Sequence, residues 1–323
     1  MAKILIIGGG GMVGQKFATS LADTPLLGPS DEITLFDLGF PEGGAHADHR
    51  ISGNVSDPLA IKQLVEDRPD VIFHLASIVS GEAESNFTLG WDVNGHAFWA
   101  FLEAVRAEHS ASDALWRPRL IFTSSIAVFG APYPEKIDDE FLSAPQTSYG
   151  AQKAISELLI SDYSRKGVID GLAIRLPTIC VRPGKANLAA SSFFSGIIRE
   201  PLNGAEALLP VSTDVRHWHA SPRSAAGFLR HAGTLDLDLV GSRRALNLPG
   251  VSCTVEEQID ALRDIAGDDV VALIRPEPDE TIIRIVKGWP RNFAPQRAID
   301  LGFRAESDFH QIIQTYIDDD LRR

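Results

Sequence analysis

Four consecutive glycines end the first aliphatic run of the chain. Gly8-Gly9-Gly10-Gly11-Met12-Val13-Gly14 lies between Ile4–Ile7 and a stretch in which Val13, Phe17 and Leu21 recur every fourth position. A strand that runs through a glycine turn straight into an amphipathic helix is the opening of a βαβ unit. Two patterns can be read here, G-x-x-G-x-x-G on Gly8, Gly11 and Gly14, and G-x-G-x-x-G on Gly9, Gly11 and Gly14. Glycines let the backbone turn tightly and approach a pyrophosphate, whose charge then sits at a helix N-terminus. An acidic residue, Asp37, ends the second aliphatic run about 20 residues after Gly14, where it can accept hydrogen bonds from both ribose hydroxyls and repel a 2′-phosphate. NAD is therefore expected rather than NADP, against the plainer reading of Asp37 as a solvated strand end.

The pattern continues downstream. Ile33–Phe36, Val71–Leu75, Leu120–Thr123 and Leu172–Leu176 are short apolar runs of the kind a parallel sheet covered on both faces demands. Between them, Phe98, Phe101, Leu102 and Val105 form one helical stripe, and Asp57-Pro58 marks a helix start. This alternation predicts an α/β fold, a doubly wound parallel (Rossmann) sheet. Residues 178–223, rich in Pro, Gly, Ser and Phe without a clean period, predict loops and short helices rather than more sheet. Ala245–Leu248 returns to a strand, Thr254 and Glu257 form a capping box, Gly267 ends that helix, and residues 309–317 pattern as another. The expected division is a dinucleotide-binding domain from 1–177 and 219–250, with a smaller discontinuous substrate domain from 178–218 and 251–323.

Composition narrows the function classes. Thirty Lys+Arg against 43 Asp+Glu leave a net charge of −13. That argues against nucleic acid and against an anionic membrane surface as partners. Cys180 and Cys253 are the only cysteines and lack metal-ligand spacing, so a reducing cytoplasm is expected, with no disulfide framework and no metal. No apolar run approaches a membrane span or a signal-peptide core.

Tyr149 and Lys153 stand one helical turn apart, and an ammonium beside a phenol would favour the phenolate. Tyr149 could then take a hydroxyl proton as a nicotinamide accepts hydride. Upstream, Leu120–Thr123 runs into Ser124-Ser125-Ile126-Ala127-Val128-Phe129-Gly130, placing hydroxyls at the carboxyl end of a strand, where ligands of open α/β sheets bind.

With the glycine turn, Asp37, Phe73–Ser77, Ser124–Gly130, Tyr149/Lys153 and Ile174–Thr178 in this order, the chain resembles the extended short-chain dehydrogenase/reductases, the superfamily of NAD-dependent epimerases and dehydratases. Within it, Val79–Glu84, Ser148–Ile155, Leu176–Lys185, Ser191–Leu202 and above all Arg216-His217-Trp218-His219-Ala220-Ser221-Pro222 are similar to the D-erythronate dehydrogenase group. The resemblance implies oxidation of the 2-hydroxyl of a small sugar acid with NAD. It makes Tyr149 the proton acceptor, Lys153 its activator and nicotinamide-ribose ligand, and Ser125 the residue holding the reacting hydroxyl. It puts Met12 and Val13 by the pyrophosphate, Asn54 and Val55 by the adenine, Leu75, Ala76, Ser77 and Asn94 along the cofactor, and Leu176 and Thr178 by the nicotinamide. It also implies a homodimer through the helices carrying Asn94–Val105 and Tyr149–Leu159. The chain departs from the wider family at Asn54, where Asp is usual, at Phe129, and at Ala97-Phe98, none of which removes a catalytic group.

A hydroxy acid needs its carboxylate paired. Candidates are Arg182, Lys185, Asn187, Arg199, Arg216, His217 and His219; first contact is expected from Lys185, Asn187 and Arg216, with Ser80 and Ser125 from the sheet. His74, Cys180 and Cys253 read as core residues, and His46 and His49 as solvated loop residues. Two other functions share these motifs, a nucleotide-sugar epimerase or dehydratase that keeps its NAD and a non-catalytic NAD-binding redox sensor. The intact Tyr149/Lys153 pair counts against the sensor.

Overall fold

The computed structural model describes residues 1–184 and 190–321. In chain order the strands are β1 (Lys3–Ile7), β2 (Glu32–Asp37), β3 (His49–Ser52), β4 (Val71–His74), β5 (Arg119–Ser125), β6 (Asp170–Leu176), β7 (Thr178–Ile179), β8 (Ala207–Leu209), β9 (Arg216–Ala220), β10 (Ala245–Asn247), β11 (Val251–Thr254) and β12 (Ile274–Pro276). A seven-stranded sheet runs β10-β6-β5-β4-β1-β2-β3, every pair parallel. The strand order reverses between β1 and β4, and ligands of such sheets bind outside the carboxyl ends at that switch.

Both faces of the sheet are covered, which explains the unbroken apolar runs. Phe17, Phe73 and Phe228 belong to the core on one face, and Phe36, Phe98, Phe101 and Phe122 to the core on the other. Ala298 and Phe303, far along the chain, join the first of these cores. A separate core holds Cys180, Phe194, Ile197, Ile198, Leu262, Ile312 and Ile313. The expected starts and stops recur: Asp57 caps the helix Pro58–Glu66, Thr254 and Glu257 close their capping box, and Gly267 ends that helix at φ +85°.

Two expectations fail. Residues 178–223 hold an 11-residue helix, Ser192–Leu202, and three strands: β7 and β9 join β11 in a second sheet, and β8 pairs with β12. These strands are too short to show alternation, and β9 carries His217 and His219, which look polar in sequence yet are buried. His49, taken for a loop residue, opens the edge strand β3, with Nε2 2.8 Å from Glu32. All four side chains of β3 are exposed, so no apolar pattern marked it.

Candidate active site

A cleft of about 490 Å³ lies at the carboxyl ends of β1, β4, β5 and β6. One wall is the glycine turn. Gly8 has φ +88°, and a Cβ there would come within 2.5 Å of the Ala76 nitrogen; on Gly14 it would come within 2.3 Å of the Gly8 oxygen. Only glycine fits either place. The turn delivers Gly11, Met12, Val13 and Gly14, the start of the helix Met12–Asp23, to the cleft. Asp37 braces it, accepting from the Gly10 N–H at 2.9 Å. A tight glycine cradle, a helix N-terminus and a strand-end carboxylate suit a dinucleotide whose ribose and pyrophosphate need those partners.

The second wall carries the hydroxyls. Ser125 ends β5, and its Oγ accepts from the Ala127 N–H at 3.1 Å, so the short helical turn Ile126–Val128 fixes it. Tyr149 and Lys153 come from the first turns of the helix Ser148–Arg165, capped by Thr147. Lys153 is only 2% exposed and donates to the Thr123 carbonyl at 2.8 Å. Burial pushes its ammonium down to about 7, with Glu157 pulling it back up.

The phenol behaves differently from the sequence expectation. Burial raises the Tyr149 pKa, and the groups that lower it are Ser125, Arg182 and Ser77. Lys153 instead turns to Thr123, its Nζ 5.5 Å from the Tyr149 ring centroid.

Leu75, Ser77, Ser80, Leu176 and Thr178 line the same cleft. Asn94 sits behind it and is buried; its Oδ1 accepts from the Ser77 hydroxyl at 2.9 Å and the Ile78 N–H at 2.8 Å, and its Nδ2 donates to Gln152 at 2.8 Å. It shapes the loop after β4 rather than the cleft surface. Ala76 lies behind Gly8. Asn54 and Val55 follow β3, outside this cleft, with Asn54 Oδ1 accepting from the Ser56 N–H at 2.9 Å.

The substrate end differs most from expectation. Arg216 lies outside the cleft lining, its guanidinium on the Ser252 carbonyl at 3.1 Å and on Glu257 at 3.2 Å. Lys185 and Asn187 fall outside the described residues. Arg182, Arg199 and His217 take that wall, together with Trp289 and Pro290. Arg182 donates to the Ile179 carbonyl at 2.9 Å and to Ser191 at 3.0 Å, and Arg199 donates to the Arg182 carbonyl at 2.8 Å. Arg199 stands beside Phe194, Ile197 and Ile198 in an apolar helix, and a cation in that setting was the available signal.

His217 is neutral: burial pushes it down to about 4. Its Nδ1 lies 2.9 Å from the Pro290 carbonyl, which can only accept, so Nδ1 carries the proton and Nε2 accepts from Thr178 Oγ1 at 2.7 Å. His219 pairs with Gln258 at 3.0 Å, and no group of three or more His, Cys, Asp or Glu among the described residues could hold a metal. Cys180 and Cys253 are both buried, and burial pushes each thiol up to about 12.

Residues 4–223 match the NAD dependent epimerase/dehydratase family. The chain belongs to that family. A D-erythronate dehydrogenase of Cupriavidus necator is 42% identical over 98% of each chain, and one of Haemophilus influenzae is 41% identical over 99% of this chain and all of its own. A solved structure described as the nucleoside-diphosphate-sugar epimerase from Agrobacterium tumefaciens is 53% identical, with a TM-score of 0.93 over 98% of this chain and 94% of that one. As a member of the NAD-dependent epimerase/dehydratase family with these relatives, the chain is an NAD-dependent dehydrogenase acting on a small molecule.

Proposed function

We propose that the protein oxidises the 2-hydroxyl of D-erythronate to 2-oxo-D-erythronate with NAD, in the cytoplasm and as a homodimer. Near-full-length similarity to two D-erythronate dehydrogenases supports the substrate, and the small set of cations beside Tyr149 supports an acid. The observation that carries the chemistry is the meeting of Tyr149, Ser125 and Lys153 at the carboxyl end of β5.

NAD, when bound, would supply the acceptor for the hydride leaving C2. Ser125 Oγ holds the reacting hydroxyl, and Tyr149 Oη takes its proton. Burial raises the Tyr149 pKa against the lowering by Ser125, Arg182 and Ser77. The form that takes the proton is therefore the minor phenolate, left once the phenol has given its own proton to solvent, and the Lys153 ammonium favours that phenolate. Gly8, Gly11, Met12, Val13 and Gly14 would hold the pyrophosphate and Asp37 the adenosine ribose, with Asn54 and Val55 toward the adenine. Leu75, Ala76 and Ser77 would line the cofactor and Leu176 and Thr178 would flank its nicotinamide, with Asn94 acting through Ser77. Arg182, with Arg199 behind it, takes the carboxylate, joined by Ser80; Lys185 and Asn187 remain candidates for the same anion.

The experiment is NADH formation, followed by its near-ultraviolet absorbance, with purified protein, NAD and a panel of aldonic acids led by D-erythronate. Reduction with D-erythronate is expected, falling at least about 100-fold in Tyr149→Phe while NAD still binds. A second reading, a nucleotide-sugar epimerase, is favoured by the Agrobacterium tumefaciens relative. It takes over if every aldonate fails and the protein purifies with tightly held NAD.

A further inference from the structure

Behind Lys153 the interior holds a pair of opposite charges that the chemistry above does not use. Glu157 is one helical turn beyond Lys153 on the same face and is 5% exposed. Arg175 of β6 meets its carboxylate with two nitrogens, Nε at 2.9 Å and an Nη at 2.7 Å. Ser124 of β5 donates to the same carboxylate at 2.5 Å.

Sheet register builds this arrangement. Ser124 is paired with Arg175, and Arg175 with Asn247 of β10, so three neighbouring strands present one polar row beneath the helix. Arg175 also donates to Asn247 at 3.1 Å. Successive residues of β5 thus grip successive turns of the helix: the Thr123 carbonyl takes Lys153, and the Ser124 hydroxyl takes Glu157. Ser125, next in line, is the cleft hydroxyl.

We propose that Glu157 is a positioning residue, the counter-charge that holds the Lys153 ammonium in its protonated form beside Tyr149, with Arg175 setting the strength of that hold. The proposal rests on the reading of Tyr149 and Lys153 given above.

The other groups facing Lys153 leave Glu157 in that role. Phe122 of β5 lies under the ammonium, with its ring centroid 4.5 Å away, and carries no charge. His74 of β4 feels Lys153, yet burial pushes it down to about 3 and it is neutral. Tyr149 shares the helix and is protonated in the free protein. An ammonium taken this far from water stays charged only with a nearby anion. Arg175 draws on the same carboxylate, so it weakens what Lys153 receives while fixing where the carboxylate sits.

The charges give opposite signs to two substitutions. E157Q removes the anion, so Lys153 loses its proton at lower pH and the alkaline limb of kcat moves down by about one pH unit. R175Q frees the carboxylate and removes a like charge, so the limb moves up. A merely structural role would lower kcat in both without separating the limbs. E157Q leaves Arg175 without its carboxylate and R175Q leaves the carboxylate without its guanidinium, so E157Q/R175Q, which removes that ion pair whole, is measured beside them and keeps the downward shift. E157D, which retains the charge, restores the wild-type limb.

Titration of the Lys153 15Nζ resonance in the same proteins, without substrate, reads the same quantity independently of the reaction. Opposite displacements of that resonance, with no aldonate oxidised, would leave Glu157 in place and remove the assigned reaction. D-erythronate oxidation with the limb and the resonance unmoved in E157Q would overturn the proposal.

Discussion

Arg182 stands on the cleft wall among the groups that line the substrate end. One helical turn and one strand end bring Tyr149, Lys153 and Ser125 to the same cleft. Which cation meets a substrate carboxylate is not legible from spacing. Arg182, Arg199 and Arg216 are equally charged, and only the packing of β7, the helix Ser192–Leu202 and β9 decides which guanidinium faces the cleft. Arg216 lies outside the cleft on Glu257 and the Ser252 carbonyl, whereas Arg182, itself bonded to the Ile179 carbonyl and Ser191, lies on the cleft wall and within electrostatic reach of Tyr149. On the role proposed for it, replacing Arg182 by Met removes one charge-assisted contact to an anion, for which about 1.5–3 kcal/mol is typical. The expected outcome is a KM for D-erythronate raised about 10- to 100-fold with a smaller change in kcat. Unchanged KM in steady-state kinetics would move the carboxylate to another cation. Arg216→Met, outside the cleft, is expected to leave KM alone.

At the scale of elements, legibility followed burial pattern. β1, β2, β4, β5 and β6 are covered on both faces and announced themselves as apolar runs; β3 at the sheet edge, with four exposed side chains, did not. The second sheet was hidden for a different reason, since β7 has two residues and β9 buries two histidines, His217 bonded to Thr178 and Pro290 and His219 bonded through Nε2 to Gln258. Caps were the most legible local feature, because a cap needs only its own turn. The helix Val255–Ala266 starts at Thr254, whose hydroxyl accepts from the Glu257 N–H at 3.1 Å while Glu257 accepts from the Thr254 N–H at 2.6 Å. Thr254→Ala leaves the Glu257 N–H without its side-chain partner and should cost about 1 kcal/mol in denaturant unfolding. A midpoint equal to wild type would mean that water serves the helix end as well as the threonine.

Across the whole molecule, the proposed dimer and the buried histidines make separate demands. Trp99 and Leu158, on the two helices expected at the dimer face, are 54% and 71% exposed in the single chain. Large apolar side chains left open on adjoining helices suit a self-complementary contact. Leu158→Glu is accordingly expected to give monomers in sedimentation at concentrations where wild type is dimeric; a wild-type monomer would end that proposal. The histidines act through protons. His74 lies among Phe98, Phe101 and Phe122, His217 is stacked on Phe194, and His219 meets Phe194 and Phe309 edge-on. Burial lowers all three, to about 3 for His74, to about 4 for His217 and well below the ordinary value for His219. The sign follows from which state binds protons. Above about pH 6.5 the histidines are neutral folded and unfolded, and contribute no slope. Below it the unfolded chain takes up protons the folded chain refuses, so stability falls as pH drops from about 6.5 toward about 4, by up to about 1.4 kcal/mol per pH unit for each histidine. Urea unfolding at about pH 7.5 and about pH 5.5 is expected to show a lower midpoint at the acid value, before most carboxylates protonate. His74→Leu, which keeps an apolar side chain among the three phenylalanines, should flatten that dependence by one histidine's share. Equal wild-type midpoints at both pH values would mean that the interior accepts these protons, contrary to the burial that sets the three histidines apart from the exposed pairs His49–Glu32 and His310–Asp264.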